Sequence, residues 1–461
     1  MTLDSYIDSL RGKRIAVIGV GVSNRPLIEL LLRGGCDVTA RDKASREKLG
    51  EFGDKMEAMG CKFRLGEEYL AELNEDVIFR TPGLHPFTKE LAQAKANGSE
   101  LTSEMEVFFR LCPCRIAAVT GSDGKTTTTT IISELLKGAG YTVHLGGNIG
   151  KPLLAEIPDM KESDFAVLEL SSFQLHSMNC KPDISVITNV SPNHLDIHPD
   201  YEDYQVAKKQ IYCQMDASGR VVLNADNAIT ASWQGEVTAA VSLFSRREKP
   251  ARGVYLRNDG MICRVTAEGE KAILPMEEIR IPGLHNVENY MAAFAATEGL
   301  VSDEICCRVA REFAGVAHRL EMLRTLRGVT YCNDSIASSP TRTIAGLHAL
   351  KQKPILIAGG YDKQIPFDEL GVEICDKVKS LYLTGHTAEK IRAAVVAAEN
   401  YDAAKLPIHM VSTMDEAVAA AAKEAVEGDL VLLSPACASF DAFANFAQRG
   451  DHFRKIVMEL E

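Results

Sequence analysis

The sequence predicts a mixed α/β chain in three domains, and three observations lead there. Apolar strand-like runs recur at RIAVIG (14–19), RIAAVT (115–120) and PILIAGG (354–360), each leaving through glycine. Patterns of helical period follow them, as expected where helices cover a largely parallel sheet. The 461 residues are also about three times the ~150 that serve as a prior for one domain. With 46% hydrophobic and 25% charged residues, the composition is that of a globular protein with real cores. No apolar run nears the roughly 20 residues of a membrane-spanning helix. The opening MTLDSYIDSLRGKR has no apolar signal region, so a cytoplasmic protein without membrane partners is expected. Net charge is −12 with no basic stripe, which argues against nucleic acid as a partner. The twelve cysteines include only two close pairs, Cys112–Cys114 and Cys306–Cys307. Neither has zinc-ligand spacing, and free thiols are expected throughout.

In the first domain, set at residues 1–112, the strand 14–19 enters Gly19-Val-Gly21-Val-Ser23-Asn24, then a helical run and the strand CDVTARD. This is a βαβ unit of Rossmann type. Gly19 and Gly21 allow close backbone approach to a phosphate, and Asp42 ends the second strand where such folds keep a ribose-reading carboxylate. Asn24 stands in place of the third glycine. On these residues alone the turn is either a nucleotide loop or a tight strand–helix connection.

The second domain, 113–315, opens with a strand that enters Gly121-Ser122-Asp123-Gly124-Lys125-Thr126-Thr127 and leaves as a helix. Such a loop wraps phosphate oxygens in amides, adds the Lys125 charge and offers the Thr126 hydroxyl to Mg²⁺. Position 119 is Val where a full Walker loop has its first Gly. The run FAVLELSSFQL (165–175) buries Glu169, and DISVITNVSPNHLDIH delivers His194 and Asp196 past a strand end. Buried carboxylates need a partner, and ligands of open parallel sheets gather at the carboxyl ends of strands. Glu169, His194 and Thr126 are therefore expected to converge on a phosphate-bound Mg²⁺. Taken singly, Glu169 reads as salt-bridged and His194 as a surface histidine. Residues 216–282 read as a small antiparallel β elaboration of this P-loop ATPase-like sheet, and IPGLHNVENYMAAFAAT as a helix with Asn286 and Asn289 in its first turn. The third domain, 316–461, is again α/β and Rossmann-like, with strands at 354–360, 380–385 and 429–436.

Together these motifs resemble the Mur ligase family. The pattern is a Gly-x-x-Gly-Lys-Thr loop, a strand Glu (Glu169), Asn189-x-x-x-x-His194-x-Asp196, His285-Asn286-x-x-Asn289 and His318-Arg319, all in order. The segment LLSPACASFDAFANFAQRG (432–450) is similar to the signature of the D-glutamate-adding branch; an L-alanine-adding specificity is the alternative. The resemblance implies a monomeric enzyme that uses ATP and two Mg²⁺ to phosphorylate the carboxylate of UDP-MurNAc-L-alanine and then couples it to D-glutamate. It places ATP on residues 121–127, Asn286, Asn289, Arg319 and Asp334. The metals fall to Thr126, Glu169, His194 and Lys208, the last carried as its carbamate. Lys125, Glu169, His194 and Lys208 form the implied catalytic set. Lys209 is adjacent, and only alignment favours Lys208. The UDP substrate falls to Gly21, Ser23, Asp42, Asn148 and His194, and D-glutamate to Ser338, Lys363, Ser439 and Phe446. Ile336 stands where the family often has lysine.

Overall fold

The computed structural model describes every residue except Val22, Pro86 and residues 193–197. The chain divides into two compact units, Met1–Glu278 with His285–Arg311, and Ile279–Leu284 with Glu312–Glu461.

The first unit holds two sheets. One consists of β1 (Arg14–Ile18), β2 (Asp37–Asp42), β3 (Lys62–Leu65), β4 (Val77–Phe79) and β5 (Glu100–Thr102), all parallel in the order β3-β2-β1-β4-β5. The order reverses at β1, so the glycine turn that follows it opens at a switch point, where α/β sheets take ligands. The other sheet consists of β6 (Arg115–Thr120), β7 (Val143–Gly147), β8 (Phe165–Glu169), β9 (Ile184–Ile187), β10 (Arg220–Asn224), β11 (Ala240–Ser245), β12 (Gly253–Leu256), β13 (Met261–Thr266) and β14 (Gly269–Pro275). Its order is β14-β13-β12-β11-β10-β9-β6-β8-β7. The apolar core runs without a break from Leu3 of the first sheet's layer to Ala239 of the second's.

One expectation needs correction. Residues 216–282 are not wholly an antiparallel elaboration, because β10, β11 and β12 continue the parallel sheet and only β12-β13-β14 pair antiparallel. The physical reason lies in burial and in the connection. Val221, Val222 and Leu223 are fully buried, as central parallel strands require. The short helix Ala228–Ser232 and the buried Trp233 then supply a crossover in place of a hairpin.

The second unit holds β15 (Glu321–Leu326), β16 (Val329–Asn333), β17 (Ile355–Gly359), β18 (Ser380–Thr384), β19 (Ile408–Met410) and β20 (Leu430–Leu433), in the order β15-β16-β20-β17-β18-β19. All pairs are parallel except the β15–β16 hairpin, which the sequence reading did not place. Its turn residues Arg327 and Gly328 both have positive φ, 51° and 78°. That is the backbone that matches the twist of a two-residue hairpin, reached here without the usual Asn-Gly signal.

One buried acid makes the first unit's stability depend on pH. Glu104 opens the helix Glu104–Leu111, and its Oε1 accepts from the Leu154 amide at 2.9 Å. Burial raises its pKa from 4.5 to about 7. Between those values the folded chain holds a proton that the unfolded chain has released, so stability falls as pH rises through this window. Glu104→Gln keeps the acceptor and removes the titration. Denaturation between pH 4.5 and 7 should show wild type losing up to about 3 kcal/mol relative to the variant; parallel curves would contradict this.

Candidate functional site

β6 runs straight into Gly121–Gly124, and the helix Lys125–Gly138 starts at the next residue. The chain itself holds the loop in shape. Asn189 accepts from the Ser122 amide through its carbonyl and from the Asp123 amide through Oδ1, both at 2.9 Å. The Thr188 hydroxyl donates to the Asp123 carbonyl at 2.5 Å. Ser122 Oγ accepts from the Ser191 amide at 2.9 Å and lies 3.0 Å from the Tyr204 hydroxyl. Both loop glycines are required by contact as well as by backbone. Gly121 has φ 151° and Gly124 φ 78°, and a Cβ would overlap the Thr188 hydroxyl at the first and Asn289 Oδ1 at the second. Lys125 Nζ donates to the carbonyls of Gly121 (2.9 Å) and Ser122 (2.8 Å). Thr127 is buried and Thr126 partly exposed in the first turn. A helix N-terminus that opens on a lysine is suited to bind phosphate.

The helix Leu284–Ala296 brings both asparagines to this loop. Asn289 Oδ1 accepts from the Thr128 hydroxyl at 3.2 Å, and its Nδ2 donates to Asn286 Oδ1 at 3.1 Å. The β6–β8 register sets Glu169 opposite Val119, two residues before the loop glycine. Glu169 is 2% exposed, and its Oε1 accepts from Asn148 Nδ2 at 2.7 Å. Its Oε2 is buried and has no hydrogen-bond donor among the described residues. An oxygen left so is costly, and a hard cation with oxygen ligands would satisfy it. The residues therefore fit Mg²⁺.

Lys208, on the helix Tyr201–Cys213, is buried beneath the loop. Its Nζ donates to the Gly121 carbonyl at 2.8 Å and reaches Thr120 Oγ1 at 3.5 Å. Burial and the Lys125 charge hold its pKa well below the ordinary lysine value. Lys209 instead pairs with Glu236 at 2.6 Å on the outer face. Geometry thus separates two lysines that the sequence could not. His194 and Asp196 lie outside the described residues.

At the first sheet's turn, Asn24 replaces the missing glycine with bonds: its Nδ2 donates to the carbonyls of Ile18 (2.9 Å) and Gly19 (3.0 Å). Asp42 accepts from the Val20 amide at 2.5 Å and the Ala44 amide at 2.7 Å. Its carboxylate therefore shapes the turn, while Gly21 and Ser23 stand exposed on its rim.

The second unit gathers its own group at the carboxyl ends of β16, β17 and β20. Lys363 Nζ lies 3.4 Å from the Ser338 carbonyl, and the Tyr361 amide donates to Ala438, beside the buried Ser439. The Phe446 ring stands edge-on to His318, with centroids 6.1 Å apart. Sequence reasoning missed Arg449. This buried side chain donates to Ser335 Oγ (3.0 Å), the Ser335 carbonyl (2.8 Å) and the carbonyls of Cys437 and Ala438 (both 3.0 Å). An arginine inside the apolar period Phe446–Phe453 was the available signal. Asp334 is buried too, accepting from Ser434 Oγ at 2.8 Å and the Leu320 amide at 3.2 Å. Burial pushes its pKa up to about 7. It fixes the turn that carries Arg319, where His318 and Leu320 both have positive φ.

Residues 119–297 match the Mur ligase middle domain, and residues 318–437 match the Mur ligase, glutamate ligase domain. The chain is 50% identical to the UDP-N-acetylmuramoylalanine–D-glutamate ligase of Acetivibrio thermocellus, over 100% of this chain and 99% of that protein. It is 47% identical to the protein of the same name from Clostridium novyi, with the same coverage. Among solved structures it is similar to the UDP-N-acetylmuramate–alanine ligase of Thermotoga maritima. The TM-score there is 0.58 at 16% identity, over 97% of this chain and 99% of that one, a likeness of fold. Matched through both domain models and along its full length, the chain belongs to the Mur ligase family.

Proposed function

We propose that this chain is the ATP-dependent ligase that joins D-glutamate to UDP-N-acetylmuramoyl-L-alanine, in the cytoplasmic synthesis of peptidoglycan precursors. The observation that carries the reading is the phosphate loop with a half-paired buried carboxylate and a buried lysine against it. It stands in a chain half-identical, end to end, to relatives bearing that name. Among the described residues no helix is long and apolar enough to cross a membrane.

In this reading Lys125 and the amides that open the helix Lys125–Gly138 hold the ATP phosphates and spread the charge that builds up as the γ-phosphoryl group moves. Asn286 and Asn289 face the adenine, and Arg319, on the turn that Asp334 fixes, is assigned to ATP. Gly21, Ser23 and Asp42 take the UDP end, while Asn148 and His194 orient the reacting carboxylate. That carboxylate's oxygen attacks the γ-phosphorus and ADP departs. The D-glutamate amine then attacks the acyl carbon, phosphate leaves and the amide remains. Thr126, Glu169, His194 and Lys208 as its carbamate would hold two Mg²⁺, which when bound supply charge neutralisation between anionic reactants. A depressed lysine pKa supports the carbamate, because only the neutral amine combines with carbon dioxide. Ser338, Lys363, Ser439 and Phe446 receive D-glutamate, with Lys363 the cation for its carboxylate.

Phosphate release from ATP in the presence of UDP-MurNAc-L-alanine tests the reading. It should require D-glutamate and stay near background with L-glutamate, L-alanine or meso-diaminopimelate; turnover with another of these overturns the specificity. Lys208→Ala should lower kcat by about 100-fold or more, on the scale of losing one preorganised charge-stabilising group. Lys209→Ala should stay close to wild type, and equal losses would remove Lys208 from the site. Lys363→Ala should raise the KM for D-glutamate far more than that for ATP. Equal changes in both would contradict its placement.

A further inference from the structure

Among the described residues, one other set of metal-ligating side chains lies close together: His85, His176 and Asp203, with donor atoms within 4.8 Å of one another. They come from three places in the first unit. His85 lies in the turn after β4, His176 follows the helix Ser172–Leu175, and Asp203 is in the first turn of the helix Tyr201–Cys213. His176 Nε2 is 2.8 and 2.9 Å from the two Asp203 oxygens. On the other side of the carboxylate His198 Nδ1 is 2.6 Å from Oδ2, and His198 Nε2 is 2.9 Å from Ser172 Oγ.

Two buried ring nitrogens in this group have no hydrogen-bond partner among the described residues: His85 Nε2 and His176 Nδ1. The His176 side chain is only 6% exposed, and among the described residues its Nε2 meets Asp203, so this nitrogen and a carboxylate oxygen can take an ion between them. The two rings meet edge-on with centroids 5.2 Å apart, and Phe87 packs against both, walling the group with apolar surface. Burial keeps the His85 pKa below its ordinary value, which favours the neutral ring and its lone pair. An unpartnered buried nitrogen is costly, and a cation held at His85 Nε2 removes that cost.

We propose that His85, His176 and Asp203 bind a divalent transition-metal ion of the zinc class, separate from the Mg²⁺ proposed at the loop. Two imidazoles and a carboxylate are zinc donors, with a fourth position left for water, whereas Mg²⁺ and Ca²⁺ prefer all-oxygen sets. The ion takes the place of the proton between His176 Nε2 and Asp203, and that proton passes to Nδ1 of the same ring or to water. Bonds of about 2.0–2.2 Å in a tetrahedron then require that pair to open by only a few tenths of an ångström. His198, steadied by Ser172, orients the carboxylate from behind, the usual arrangement around a bound metal.

The ion would act as a staple between the first unit's two sheets. It joins the turn after β4 to the helices that follow β8 and β9. Arg80 already makes the same crossing, donating to the Leu84 carbonyl (2.8 Å) at one end and to the Phe173 carbonyl (3.1 Å) and Ser177 Oγ (2.8 Å) at the other.

The test is Co²⁺ titration of the full-length, chelator-stripped protein in excess Mg²⁺, followed by visible absorption and reversed by Zn²⁺. One equivalent should bind and give tetrahedral d–d bands without the near-ultraviolet thiolate band that cysteine ligation would add. His85→Gln and His176→Gln should each weaken binding by about ten- to a hundredfold. Glu169→Gln, which alters the loop site, and His144→Gln, which alters the separate His144–Asp164 pair, should leave it intact. His85 sits in a half-buried turn, so that variant carries the test even if His176→Gln misfolds. Unchanged binding in His85→Gln, a thiolate band, or no saturable binding at millimolar Co²⁺ would overturn the proposal.

Discussion

The carbonyl of Gly121 is where this molecule concentrates its constraints. Two lysine ammonium groups reach it, Lys125 at 2.9 Å and Lys208 at 2.8 Å. Burial first, and the Lys125 charge second, drive Lys208 toward its neutral form. The strand register places Glu169 on the neighbouring strand, with one buried oxygen that has no donor among the described residues. Anionic phosphate and a cation together would suit lysines and a carboxylate held this way. Thr188 and Asn189 hold the loop in place, so the groups cannot drift apart by moving the backbone.

The same economy of backbone bonding recurs around the other loops. Asp42 caps amides on the turn after β1, Asn24 ties that turn to the end of its strand, and Asp334 anchors the turn that carries Arg319. Arg449 gathers three carbonyls and a hydroxyl beside Ser439. Each is a wholly or partly buried polar side chain bonded to main chain, which fixes a loop without a packed core beneath it. Residues that face solvent at these edges, such as Gly21, Ser23 and Lys363, are then free to meet ligands.

Much of this was legible in the sequence because it is local. The three strand–glycine–helix transitions, the 121–127 loop and the helix carrying Asn286 and Asn289 are all read from neighbouring residues. The parallel course of β10 to β12 was not, because SGRVVLNADN carries turn residues that suggest hairpins and only burial on both faces reveals the crossover. The β15–β16 hairpin escaped because Arg327 adopts positive φ without the residue types that announce it. Lys208 and Lys209 are indistinguishable as adjacent letters and separate only when the helix turns one inward to Gly121 and the other outward to Glu236. Asn24 looked like a defect in a glycine fingerprint and is instead a hydrogen-bonding substitute for it. Arg449 interrupts an apolar period, but its role stays hidden because its partner Ser335 lies 114 residues away in the chain.

The central claim is that the loop's backbone geometry, and not its lysine alone, makes the nucleotide site. Calorimetric titration of Mg²⁺-ATP into wild type and Gly124→Ala tests it most directly. The substitution leaves Lys125 and Glu169 in place but forces a Cβ into Asn289 Oδ1 at a positive-φ position. The account predicts a loss of nucleotide affinity of about 100-fold or more, near 3 kcal/mol, with the fold retained by circular dichroism. Wild-type affinity in the variant would show that the loop's shape is incidental and would contradict the account.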